Sequence, residues 1–138
     1  MRGEVGGSFT ETQLSNRPVF CVDWDGTGVE EVWPGMGDWL PGAPEALRLL
    51  SLMGKTVIYS LRCHLFEMDD ETPRPRCDVA AEVFAIRRKL DDAGLHDIDV
   101  YPPSRGKPPA EFYIDDRAVR FDGDWRATMS EVTARRAR

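Results

Sequence analysis

The sequence predicts an α/β fold in three layers, a parallel sheet with helices on both faces. Short apolar runs of strand length alternate with stretches of helical periodicity, and polar, chemically capable residues directly follow several of those runs. The length of 138 residues allows one such sheet and falls short of a second independent core.

The first strand is the continuous apolar run Val19 to Val22, which stops abruptly at Asp23-Trp24-Asp25-Gly26-Thr27-Gly28. Residues 29–41 hold Trp33, Pro34, Gly35, Gly37, Trp39 and Pro41, too much punctuation for a helix, and read as a flap-like loop or short hairpin. A helix follows with Pro44 in its first turn, Leu47, Leu50 and Met53 at helical spacing, and Gly54 as its stop. Thr56 to Ser60 is the second strand, and residues 61–76 form a long polar loop. Asp78 caps a helix whose Val79, Val83, Ile86 and Leu90 share one face and which Gly94 ends. Ile98 to Tyr101 is the third strand, residues 102–109 are a loop containing Lys107, and Phe112 to Ile114 is a fourth strand stopping at Asp115-Asp116. Val119 to Phe121 is a candidate fifth strand, and Trp125, Met129 and Val132 mark a closing helix. The expected organisation is a flexible segment over 1–17, one Rossmann-like domain over 18–134 and a basic, frayed end over 135–138.

A net charge of -6 argues against broad binding to a phosphate backbone, which relies on positive surface. No apolar run reaches the ~20 residues of a membrane helix, and the first eighteen residues lack the pattern of a secretory signal, so the default expectation is cytoplasmic. Three cysteines without framework spacing, Cys21, Cys63 and Cys77, read as reduced thiols; Cys63, His64 and Cys77 lack a fourth ligand at a zinc-site spacing.

In a parallel sheet, ligands sit beyond the carboxyl ends of the strands. Asp23 and Asp25, Ser60, and Asp115 and Asp116 all fall there. Clustered carboxylates repel one another unless a cation holds them, and Mg²⁺ favours oxygen ligands together with phosphate oxygens. The expected cofactor is therefore Mg²⁺ and the expected chemistry is phosphoryl transfer.

The run V-F-C-V-D-W-D-G-T from Val19 to Thr27 resembles the first signature of the haloacid dehalogenase superfamily. Val57-Ile58-Tyr59-Ser60 is similar to its second signature, Lys107 to its third and Phe112-Tyr113-Ile114-Asp115-Asp116 to its fourth, in the family's order from Val19 to Asp116. The resemblance implies a capless phosphatase of the small bacterial and phage type. In it Asp23 attacks phosphorus, while Asp25 protonates the leaving oxygen, later activates water, and ligates Mg²⁺ through its backbone carbonyl. Ser60 and Lys107 would hold the phosphoryl oxygens, and Asp115 and Asp116 would complete the metal site beside Asp23.

The expected substrate is a phosphate monoester, a small metabolite or nucleotide. Two other readings stay open: a phosphatase acting on a polynucleotide end or phosphoprotein, and a non-catalytic module that keeps the metal site. An intact Asp25 speaks against the second. The order of the acidic residues and the lysine along the chain speaks against a receiver domain. Selectivity would come from Trp33 and Trp39 in the flap, or from Arg62, His64, Arg74 and Arg76 after the second strand, or from a second copy in a homo-oligomer. Arg62, whose guanidinium fork suits phosphate, is the expected substrate-binding residue.

Overall fold

The computed structural model describes residues 17–32, 35–60, 62, 66–69, 72–75, 78–101 and 105–137. Most of the expected N-terminal segment, with Trp33, Cys63, His64, Arg76 and Cys77, lies outside the described residues, as does the side chain of Arg74.

The apolar run Val19–Val22 forms β1, and Lys55–Ile58 forms β2 beside it. Asp99–Val100 is β5 and Phe112–Ile114 is β6. The four make one sheet in the order β5-β2-β1-β6, every pair parallel. A parallel sheet normally has both faces covered, which is why β1 reads as an unbroken apolar run and β2 ends in the apolar pair Val57-Ile58; Phe20, Cys21, Val22, Val57 and Ile58 are all buried. Together with its helices the chain is an α/β protein of Rossmann-like arrangement with no cap domain among the described residues.

Helix α1, Ala43–Met53, starts after Gly42, whose φ of 82° places it in the left-handed region. Pro44 sits in the first turn, where a missing N–H costs nothing. The Gly54 amide closes the helix on Leu50 O. Helix α2, Val79–Asp92, is capped by the Asp78 side chain, which accepts from the Ala81 amide. Leu47 of α1 and Ile86 and Leu90 of α2 meet Val22 and Ile58 of the sheet in one core cluster. Arg87 fastens the end of α2 by donating to Leu95 O and Ile98 O.

The flap is tied to the same core. Val29 bridges both Asp25 and Trp39, and the Glu30 amide donates to Asp38 O over 2.8 Å. Trp24 is fully buried beneath it, donating Nε1–H to Met36 Sδ at 3.0 Å and meeting Trp39 edge-on at 5.4 Å. Trp39 is thus a packing anchor, with Lys89 over its ring.

Three elements differ from the sequence expectation. The polar stretch after β2 contains an antiparallel hairpin, β3 (Phe66–Asp69) and β4 (Thr72–Pro75), with Phe66 opposite Pro75 and Asp69 opposite Thr72. Pro73 and Pro75 argue against a strand in a sheet interior, but a two-stranded ribbon has an open side where a missing N–H breaks no ladder. No strand forms at Val119 to Phe121. Arg135 and Arg136 of the expected frayed end are helical: α3 runs over Trp125–Arg136, capped by Asp124, with Arg135 paired to Glu131 one turn back. Among the described residues no helix is long and apolar enough to cross a membrane.

Ile86 is fully buried where the helix meets the sheet. Replacing it by Ala should lower unfolding free energy by roughly 2–5 kcal/mol in urea titrations. An unchanged midpoint and slope would contradict this core.

Candidate active site

Strand register delivers the site. Val22 lies opposite Ile58 on one side and Ile114 on the other, so the residues that follow emerge side by side at the carboxyl edge of the sheet. The Asp23 amide still donates to Ile114 O at 2.9 Å and the Tyr59 amide to Val22 O at 3.1 Å, which holds Asp23 between its neighbours. Immediately after Asp23 the chain turns: the amides of Thr27, Gly28 and Val29 all converge on Trp24 O. Gly26 makes that turn possible with a φ of 85°. A Cβ at Gly26 would lie 2.5 Å from Asp116 Oδ2, so the glycine also leaves the room into which the Asp116 carboxylate fits. Thr27 Oγ1 approaches Asp23 Oδ2 at 3.4 Å.

Asp23, Asp115 and Asp116 each place a carboxylate oxygen within 4.8 Å of the other two. Burial pushes the Asp23 carboxyl up to about 7, opposed by a backbone hydrogen bond at Trp24 and reinforced by Asp115 and Asp116. A desolvated carboxylate among like charges favours its proton, and a cation reverses that preference. Asp115 is further fixed by the Arg117 amide, which donates to Oδ1 at 2.7 Å.

Asp23 and Asp115 of the cluster line a cavity of about 460 Å³ whose wall also includes Asp25, Arg62, Lys107 and Tyr59. Lys107 stands with Nζ 4.4 Å from the centre of the Tyr113 ring, and the Tyr113 hydroxyl donates to Pro108 O while accepting from the Ala110 amide, bracing the loop that carries the lysine. At the mouth, Arg117 pairs with Glu31 of the flap at 3.1 Å, an exposed contact of small energetic weight. Cys21 also lines the cavity; burial pushes its thiol up to about 11, so it stays protonated and offers no competing nucleophile.

The sequence candidates divide into groups. Asp23, Asp115 and Asp116 form the acidic cluster, with Lys107 on the same cavity wall. The Asp25 carboxylate stands apart from that cluster and meets Arg62 instead, with Nη2 to Oδ1 at 2.6 Å. Ser60 is 1% exposed, accepts from the Arg62 amide at 3.1 Å and is not among the residues lining the cavity. Arg62 itself is buried, and also bonds Glu82 of α2 at 3.1 Å. Sequence reasoning missed Glu82, Tyr59 and Glu31. Glu82 carries no signal beyond its place in the first turn of α2, whereas Tyr59 is visible in hindsight as the residue directly after β2.

The three-oxygen group, the raised Asp23 and the glycine space around Asp116 fit a hard divalent cation bound through carboxylates. What the fold and site define is thus an α/β protein with an acidic, cation-competent cavity at the carboxyl edge of its parallel sheet. No family model matches the chain, and no curated protein does. Among solved structures, a conserved protein from Bacteroides thetaiotaomicron is similar over 87% of this chain and 93% of its own, at 25% identity and a TM-score of 0.49.

Folding raises Asp23 from 3.8 to about 7, so the native state binds the extra proton across that window and loses stability as pH rises through it. The melting temperature of the metal-free protein should therefore fall from pH ~4 to ~7 more steeply than that of Asp23→Asn, and millimolar Mg²⁺ should recover the difference. Equal slopes in wild type and variant would contradict the assigned shift.

Proposed function

We propose that the chain is a magnesium-dependent phosphohydrolase acting on phosphate monoesters through an aspartyl-phosphate at Asp23. The observation that carries this reading is the convergence of Asp23, Asp115 and Asp116 at the carboxyl edge of a parallel sheet, with Lys107 facing the same cavity. The D-x-D-G-T run that resembles the haloacid dehalogenase signature supplies Asp23 to that cluster.

In the first step an Asp23 carboxylate oxygen bonds to phosphorus while the ester P–O bond breaks, and the leaving oxygen takes a proton from Asp25. In the second, water passes a proton to Asp25 as its oxygen bonds to phosphorus and the Asp23–phosphorus link breaks. Free Asp23, an alcohol and inorganic phosphate result. Lys107 holds the phosphoryl oxygens and offsets their charge, since phosphoryl transfer depends mainly on positioning and electrostatics. Asp23, Asp115 and Asp116 would hold Mg²⁺, with Asp25 contributing its backbone carbonyl. When bound, the ion would supply positive charge that offsets the repulsion between carboxylate and phosphoryl oxygens.

Phosphate release from small esters, phosphorylated oligonucleotides and phosphopeptides, measured with and without Mg²⁺, tests the reading. Wild type should turn over at least one class only with Mg²⁺. Asp23→Asn should lose at least about 10³-fold in kcat/KM and Lys107→Ala about 10²-fold or more. Equal turnover by wild type and Asp23→Asn would remove the mechanism, and the favoured class distinguishes a small substrate from a macromolecular one.

A further inference from the structure

We infer that Arg62 is a positioning residue: its guanidinium clamps the Asp25 carboxylate in the orientation from which Asp25 exchanges a proton, rather than meeting substrate. This rests on the phosphohydrolase reading for the role of Asp25, but the clamp itself is a matter of geometry. Nε donates to Asp25 Oδ2 at 3.0 Å and Nη2 to Asp25 Oδ1 at 2.6 Å, a two-pronged match of fork to carboxylate. Nη2 also donates to Val32 O at 2.7 Å, while Nη1 donates to Glu82 Oε1 at 3.1 Å and to Gly35 O. A guanidinium has five N–H donors, and these bonds occupy all of them.

Both residues line the cavity, but the Arg62 side chain is 1% exposed while that of Asp25 is 22% exposed, so the arginine is the more enclosed member of the pair. A phosphate could reach the fork only by breaking a buried pairing, which leaves a charge desolvated and alone. Glu82 anchors the far end of the fork to α2, and the two flap carbonyls complete the cradle. The clamp takes one lone-pair direction on each Asp25 oxygen. A carboxylate offers about four, which leaves directions open for the proton it must give and recover. Lysine, with a point charge and no planar fork, cannot fix both oxygens.

The consequence is a kinetic signature opposite to that of a recognition residue. With the full-length protein, Mg²⁺ and p-nitrophenyl phosphate, Arg62→Ala should lower kcat about 10²-fold, the usual effect of misplacing a reacting group by about 1 Å, with KM within about threefold. Arg62→Lys should recover less than about tenfold of that loss, and Glu82→Gln should lower kcat by a smaller factor with KM again held. Because Arg62 acts through Asp25, Arg62→Ala should cost nothing further in an Asp25→Asn background. A raised KM with kcat preserved, or full additivity with Asp25→Asn, would overturn the inference.

A second measurement does not depend on turnover. Three-bond NMR couplings across the Asp25 Cα–Cβ bond should report a single rotamer in wild type and averaging in Arg62→Ala, or in Arg62→Lys if the alanine variant does not fold. A single unchanged rotamer in the folded variant overturns the clamp even if the protein hydrolyses nothing. Equal phosphate release by wild type and Asp23→Asn, with averaging observed, would instead sink the phosphohydrolase reading and leave the clamp standing.

Discussion

Three carboxylates held within 4.8 Å of one another are the constraint on which the rest of this molecule turns. Burial first, and the neighbouring Asp115 and Asp116 after it, make the half-buried Asp23 favour its proton. The backbone nevertheless brings them together by ordinary means. Parallel pairing of β6 with β1 sets Ile114 level with Val22, so the acids that follow each strand leave the sheet at the same height. Gly26 then clears the space that Asp116 fills. A core built from Val22, Ile58, Leu47, Ile86 and Leu90 makes that edge rigid. An acidic cluster of this geometry could hold a hard divalent cation.

Much of this was legible because the signals were local and consistent. The run Val19 to Val22 is apolar at every position, which in a short segment means a strand covered on both sides, and the break at Asp23 marks its end. The helix starts at Pro44 and Asp78, and the stop at Gly54, have steric or hydrogen-bonding causes that a sequence displays directly. The hairpin of β3 and β4 was hidden because its strands carry Pro73 and Pro75, and proline is informative only when it is known whether a strand has a neighbour on that side. The helix at the C-terminus was legible from its apolar spacing, but its reach through Arg136 was not: a basic end reads as frayed unless one sees Glu131 one turn earlier and Asp124 at the cap.

The candidate site divides along the same line. Asp23, Asp115, Asp116 and Lys107 were visible because each ends a strand or sits in the loop before one, and strand order alone places them at one edge. What sequence could not show is depth. Ser60 and Arg62 follow β2 by only a few residues and read as rim residues, yet both are buried, and the arginine faces inward onto Asp25 and Glu82. The partner on α2 is twenty residues further along the chain, and no local pattern joins the two. Long-range polar pairing of this kind is fixed by packing, and packing is the least local of the signals a sequence carries.

The most direct test of the central claim is anomalous diffraction from crystals grown with Mn²⁺ as a stand-in for Mg²⁺. The account predicts a peak at carboxylate-bonding distance from Asp23 and from at least one of Asp115 and Asp116, with Asp25 still gripped by Arg62. Mn²⁺ absent from that position at saturating concentration, or Asp23 and Asp115 turned away from each other, would contradict it.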